Sequence, residues 1–178
     1  GTHTLERYRS QMLIQWRSFD VDVELHHHAG DTGVLFSHGD QGGGYSLFID
    51  DGDELVFAHN GYGVMTVLSG GTVPDGTEHI RLSVEAPGNW LWSASLAVDG
   101  QDRARAEGLV MLGAISPFEG INVGIDRRSP VSWDVHERHG TFPYSGLLDA
   151  VTYTPGERAP DAGTNFIDLL REIGLAYE

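Results

Sequence analysis

Four groups of residues have types and spacings that could do chemistry. Asp20-x-Asp22-x-Glu24 sets three carboxylates two residues apart. On a strand such positions share one face about 7 Å apart, near the ~5–5.5 Å that a retaining glycosidase uses between its carboxyls. The wet face of any amphipathic strand is polar as well, so the pattern has a plainer reading. His26-His27-His28 offers imidazoles, of which only His26 and His28 would share a face and a metal; an exposed turn with incidental nickel affinity accounts for them. Asp50-Asp51-Gly52-Asp53-Glu54 gathers oxygen ligands of the kind calcium takes, without the spacing of the twelve-residue calcium loop. An Asp-Gly hairpin turn explains the same residues. The richest group is Asp126-Arg127-Arg128-Ser129-Pro130-Val131-Ser132-Trp133, running on to His136 and His139. Guanidinium, carboxylate, imidazole and indole groups in one long irregular loop suit stacking on a sugar ring or the centre of an interface. Asp126, Arg127, Arg128, Trp133, His136 and His139 are therefore the candidate ligand or interface residues.

Composition narrows what these groups can serve. The chain has 178 residues, 40% of them hydrophobic, which suits one domain with a sizeable core. Its net charge is −15, and all 11 basic residues are arginine. So acidic a surface repels phosphate backbones, which argues against nucleic acid and anionic membranes as partners. The absence of cysteine excludes disulfides, thiolate zinc sites and cysteine nucleophiles. No apolar run is long enough to span a bilayer. No signal-peptide pattern is visible in the first thirty residues, which favours a cytoplasmic setting. A start at Gly1 rather than Met reads as a processed chain or part of a longer one.

The elements that must position these residues read as a strand–turn series. Phe19, Val21, Val23 and Leu25 alternate with Asp20, Asp22 and Glu24, and period two predicts one buried and one wet face. Further strands are expected at Gly33–His38, Tyr45–Ile49, Leu55–His59, Tyr62–Leu68, Glu78–Glu85, Trp92–Val98, Asp102–Ala106, Ile121–Ile125 and Leu147–Thr154. Asp51-Gly52 and Asp99-Gly100 mark hairpin turns. Nine or ten short strands joined by Gly, Asn and Asp turns are the pattern of a β-sandwich or barrel. Asn165–Tyr177 carries Phe166, Leu169, Leu170 and Ile173 on one helical stripe. Leu5, Tyr8 and Met12 suggest a short N-terminal helix, and Pro155–Gly163 a linker. The division expected is an extension over 1–18, a sandwich over 19–154, and a linker with a C-terminal helix over 155–178.

Several of these runs occur in a familiar order. They are Gly33-Val-Leu-Phe-Ser-His-Gly39, Gly43-Gly44-Tyr45-Ser46-Leu47-Phe48-Ile49, Asp51-Gly52, and Leu55-Val56-Phe57-Ala58-His59-Asn60. Leu96-Ala-Val-Asp99-Gly100, Asn122–Asp126 with Ser129-Pro130-Val131, and Phe142–Gly146 with Leu148–Val151 follow. The series resembles the C-terminal domain of bacterial arylsulfatases, from about Phe19 to Thr154. The resemblance implies an all-β concanavalin-A-like jelly-roll sandwich of two antiparallel sheets beside a sulfatase-like catalytic domain. Ile125 departs from it, standing where that family tends to have arginine, and the chain from Pro155 onward has no counterpart. Sulfatase chemistry needs a Cys/Ser-x-Pro-x-Arg motif, which neither Ser116-Pro117 nor Ser129-Pro130 provides.

The expected function is thus a non-catalytic sandwich that packs against and completes a sulfatase-like hydrolase, and that bares an apolar patch when taken alone. A carbohydrate-binding module of laminin-G type, using Trp90, Trp92, Trp133 or the Arg127/Arg128 loop, is the alternative. Jelly-roll glucanases carry a carboxylate triplet like Asp20, Asp22 and Glu24, which leaves a glycosidase as a third reading. No catalytic residue, metal ligand or cofactor is assigned, apart from calcium as an option for the acidic loop. Partners are the catalytic domain or a glycan, and a homodimer is a further possibility.

Overall fold

Alternating side chains become two antiparallel sheets laid face to face. The computed structural model describes residues 3–113 and 117–163. In chain order the elements are β1 (Thr4–Leu5), α1 (Arg7–Ile14), β2 (Arg17–His26), β3 (Gly33–Asp40), β4 (Gly43–Asp50), β5 (Glu54–Gly61), β6 (Val64–Thr72), β7 (His79–Gly88), β8 (Leu91–Val98), β9 (Gln101–Val110), β10 (Ile121–Val123), α2 (Trp133–His139) and β11 (Leu147–Arg158). A six-stranded sheet runs β1-β10-β3-β4-β5-β6 and a five-stranded sheet runs β11-β2-β7-β8-β9. Every strand expected from the pattern is present. No helix of the described residues is long and apolar enough to cross a membrane.

The core between the sheets is built from the inward positions of each strand. Phe19, Val21, Val23 and Leu25 of β2 meet Ile80, Leu82 and Val84 of β7 and Leu96 and Val98 of β8, all buried. Leu35, Tyr45, Leu47, Ile49, Leu55 and Phe57 face them from the other sheet. One row of this interior is polar. His38, Tyr45 and His59 lie directly opposite one another on β3, β4 and β5. His38 Nδ1 is 3.0 Å from the Tyr45 hydroxyl, which in turn donates to the Tyr153 hydroxyl at 3.5 Å.

The two sheets differ on their outer sides. β3, β4 and β5 are buried on both faces, whereas β2, β7 and β8 alternate between buried and solvated positions. The cause is the chain between β10 and β11, which crosses the outside of the six-stranded sheet. Phe142 and Val135 of that crossing segment pack on Val34, Phe48, Val56 and Ala58 as a second, smaller core. The Val34 N–H donates to the Phe142 carbonyl at 2.8 Å, and Asn60 Nδ2 donates to the Val131 carbonyl at 3.2 Å. Gly33 is required here, because at φ +127 a Cβ would strike the backbone of Pro143 and Tyr144.

Several local expectations are corrected. α1 forms, but Tyr8 and Met12 point to solvent while Ser10 and Ile14 are buried. The Glu6 carboxylate caps it by accepting from the Tyr8 and Arg9 N–H groups, and this anchoring sets the buried side. The long loop after Asp126 contains α2. β11 continues through Pro155 to Arg158, where a linker was expected; as an edge strand it tolerates proline, and the ladder shifts register just after it. The histidine triplet is no exposed turn, since His27 is fully buried between the Tyr144 hydroxyl at 3.2 Å and the Asp53 carboxylate at 3.4 Å. The C-terminal helix expected over Asn165–Tyr177 lies outside the described residues.

Candidate functional site

The six candidate residues of the crossing segment fall into separate neighbourhoods. Asp126 is buried and accepts from the Val131 N–H at 2.9 Å, so it ties the segment to itself. Burial raises its carboxyl to about 6. Arg127 and Arg128 are exposed and line a groove of about 300 Å³ with Thr4, Phe118, Glu119 and Asn122. α2 begins at the Ser132 cap, whose hydroxyl accepts from the Val135 N–H. On it Trp133 is 53% exposed, its indole N–H donates to Glu137 at 2.8 Å, and its ring lies 5.4 Å from that of His136.

His139 belongs to a third group. Its ring stacks on Phe142 at 4.1 Å and its Nε2 is 3.2 Å from Asp50, whose carboxylate Arg138 clasps with both of its terminal nitrogens. Burial pushes the Asp50 carboxyl up, but the Arg138 hydrogen bonds, the Asp51 N–H and the nearby positive groups outweigh it and hold the carboxyl below its usual range. Asp50, Asp51 and His139 offer ligand atoms within 4.8 Å of one another, with Arg138 already on the Asp50 oxygens. Of the tryptophans named as sugar platforms, Trp92 is core and Trp90 packs edge-on against Trp16 at 4.2 Å. Trp133 alone of those three stands in solvent.

The open face of the five-stranded sheet is the other polar surface. Register places Thr152, Asp22, Arg81 and Ala97 in one row across β11, β2, β7 and β8, and Asp20, Ser83, Ser95 and Arg105 in the next. The Asp22 carboxylate accepts from Arg81 Nε at 2.7 Å and Nη2 at 3.0 Å, and lies 2.8 Å from His79 Nε2. The Arg81 hydrogen bonds outweigh burial and, with His79, hold the Asp22 carboxyl below its ordinary range. Arg105 is held in turn by Glu85 at 2.7 Å and Glu107 at 3.1 Å. Between these tall pairs lies a trough of about 280 Å³ lined by His79, Arg81, Ser83, Ser95, Ala97, Gly100 and Asp102.

Asp22, the middle member of the carboxylate triplet, is thus an ionised acceptor paired with Arg81 and His79. The outward positions of His79, Arg81 and Ser83 were visible in the alternation of β7. Their meeting with Asp20 and Asp22 depends on the β2–β7 register, which no local pattern states.

No family model matches the chain, and no curated protein sequence matches it. Solved structures do match in fold. The CBM40 module of the Ruminococcus gnavus IT-sialidase aligns with TM-score 0.57 and 10% identity over 90% of this chain and 94% of that one. The mouse laminin alpha1 LG4-5 domains align with TM-score 0.56 and 15% identity over 89% of this chain and 40% of that one. A SAP-like pentraxin from Limulus polyphemus aligns with TM-score 0.51 and 13% identity over 85% and 66%. The fold is a concanavalin-A-like jelly roll. The arylsulfatase resemblance receives its fold from these neighbours and no more.

Proposed function

We propose that this chain is a carbohydrate-binding module that presents the open face of its five-stranded sheet to a glycan. The observation that carries the reading is the contrast between the two outer faces: one is sealed by the crossing segment, the other is solvated and lined with ordered hydrogen-bonding groups. Asp22 and Asp102 accept from sugar hydroxyls, while Arg81 and the hydroxyls of Ser83 and Ser95 donate to them. The small side chains of the trough floor let a ring lie close to the sheet. Among the described residues no phenylalanine, tyrosine or tryptophan lines this trough, so recognition is by hydrogen bonds. The R. gnavus module, whose structures include complexes with alpha2,3 and alpha2,6 sialyllactose, supports the glycan class. Amide chemical shifts recorded during a glycan titration test the placement. Changes gathered on β2, β7 and β8 support it. Changes at Arg127, Arg128 and the Trp133 indole instead would move the site to the crossing segment.

The second reading, an accessory sandwich of a sulfatase-like hydrolase, is favoured by the ordered motif series from Gly33 to Val151. Its test is the intact mass of the native gene product, where a much larger species containing an upstream Cys-x-Pro-x-Arg motif supports it.

A further inference from the structure

A sheet edge offers unpaired N–H and C=O groups to any other strand, and folded proteins guard such edges with brevity, charge, proline or bulges. Four strands end the two sheets here: β1, β6, β11 and β9. Three are guarded. β1 has two residues. β9 carries Asp102, Arg103, Arg105 and Glu107 and two register shifts. β11 carries Asp149, Pro155, Glu157 and Arg158, also with two shifts.

β6 has none of these devices over its regular part. Val64–Thr72 contains no charge and no proline, and it pairs with β5 without interruption from Val64 to Ser69. Its exposed side chains are apolar: Val64 is 69%, Met65 40% and Val67 64% solvent-accessible. Tyr62 and Val110 add to this edge, so it holds five of the ten large apolar side chains exposed among the described residues. Residues 55–74 include no Asp, Glu, Lys or Arg, in a chain whose net charge is −15. Two copies repel over most of their surfaces, and this uncharged edge is where repulsion is least.

We propose that β6 is a dimerisation edge whose partner is β6 of a second copy. Antiparallel pairing about a two-fold axis would join two six-stranded sheets into one of twelve strands. A register centred on Thr66 sets Met65 opposite Val67 and Val64 opposite Leu68 in both directions, so the two pairs on either side of the central threonines are apolar and no like charges meet. A second copy fits better than a charged strand from elsewhere, because its β6 matches this edge in length, chemistry and lack of charge. The five-stranded face takes no part, so this proposal and the glycan reading stand or fall separately.

Sedimentation equilibrium on the full chain across the micromolar range tests it. The wild type is expected to dimerise, and Val67→Lys, folded by circular dichroism, to raise the dissociation constant by about tenfold or more. Met12→Lys on α1 is expected to leave it unchanged. Thr66→Cys adds a readout independent of affinity: as the sole cysteine, on the axis, it should give a disulfide-linked dimer. A wild type that stays monomeric overturns the proposal, as does a dimer that survives Val67→Lys intact.

Discussion

Acidification should weaken this sandwich by an amount that two histidines dominate. His38 and His59 are 0% and 1% exposed. His38 faces Tyr45, itself bonded to Tyr153, and His59 lies among Phe57, Trp92 and the Val110 carbonyl; no carboxylate among the described residues hydrogen-bonds to either ring. Burial lowers His38 to about 3 and His59 to about 4. Both titrate near ~6.5 when unfolded, so below that pH the unfolded chain binds protons that the native chain refuses, and stability falls. At about 1.4 kcal/mol per pKa unit, moving from about pH 7 to about pH 4.5 removes roughly 5 kcal/mol through the pair.

Asp126 opposes this. Its carboxyl is raised to about 6, so the native state gains its proton first and recovers about 2 kcal/mol over the same interval. Asp22 and Asp50 are held low and matter only in stronger acid. The net loss is about 3 kcal/mol, a large share of a typical 5–15 kcal/mol stability. Urea unfolding followed by tryptophan fluorescence at the two pH values measures it. His38→Gln/His59→Gln, whatever its stability at neutral pH, should lose none on acidification and gain up to about 2 kcal/mol through Asp126. A wild-type loss under about 1 kcal/mol, or an equal loss in the double variant, would mean that burial does not hold these two imidazoles neutral.

Three further outcomes follow from local geometry. Gly44→Ala should destabilise by about 3 kcal/mol or more, read as a lower urea midpoint, because its Cβ would sit 2.6 Å from the His38 carbonyl oxygen and 2.9 Å from the Asp40 nitrogen with only backbone to yield. Asp50→Ala should lower stability by about 1 kcal/mol, since Arg138 is half exposed and its pairing is screened, with the loss shrinking as salt is added. Millimolar calcium should leave Tm unchanged, because Arg138 already holds Asp50; a rise in Tm would show binding by linkage.

Much of the sandwich is readable from period-two alternation. β2, β7 and β8 keep one wet face, and so their inward residues could be named from the sequence alone. The continuous apolar runs of β3, β4 and β5 are explained by the crossing segment, which buries their second face. α2 was hidden because Trp133-Asp-Val-His-Glu-Arg-His has no apolar stripe, its hold on the sheet coming from Asp50, Phe142 and the single apolar side chain of Val135. β1 is too short to show a pattern. The crossing segment drew notice for its residue types, yet Asp126 turns inward and His139 reaches Asp50, contacts set by tertiary position. The β6 edge was legible only as a strand; that it ends a sheet emerges from the pairing order.

A glycan array probed with the wild type and with Arg81→Ala side by side decides whether the open face of the five-stranded sheet binds sugar. Sugar binding by this face requires the wild type to bind at least one glycan class and the variant, which gives up a charge-assisted donor there, to bind about tenfold or more weakly. Binding to no glycan, or equal binding by both proteins, would contradict it.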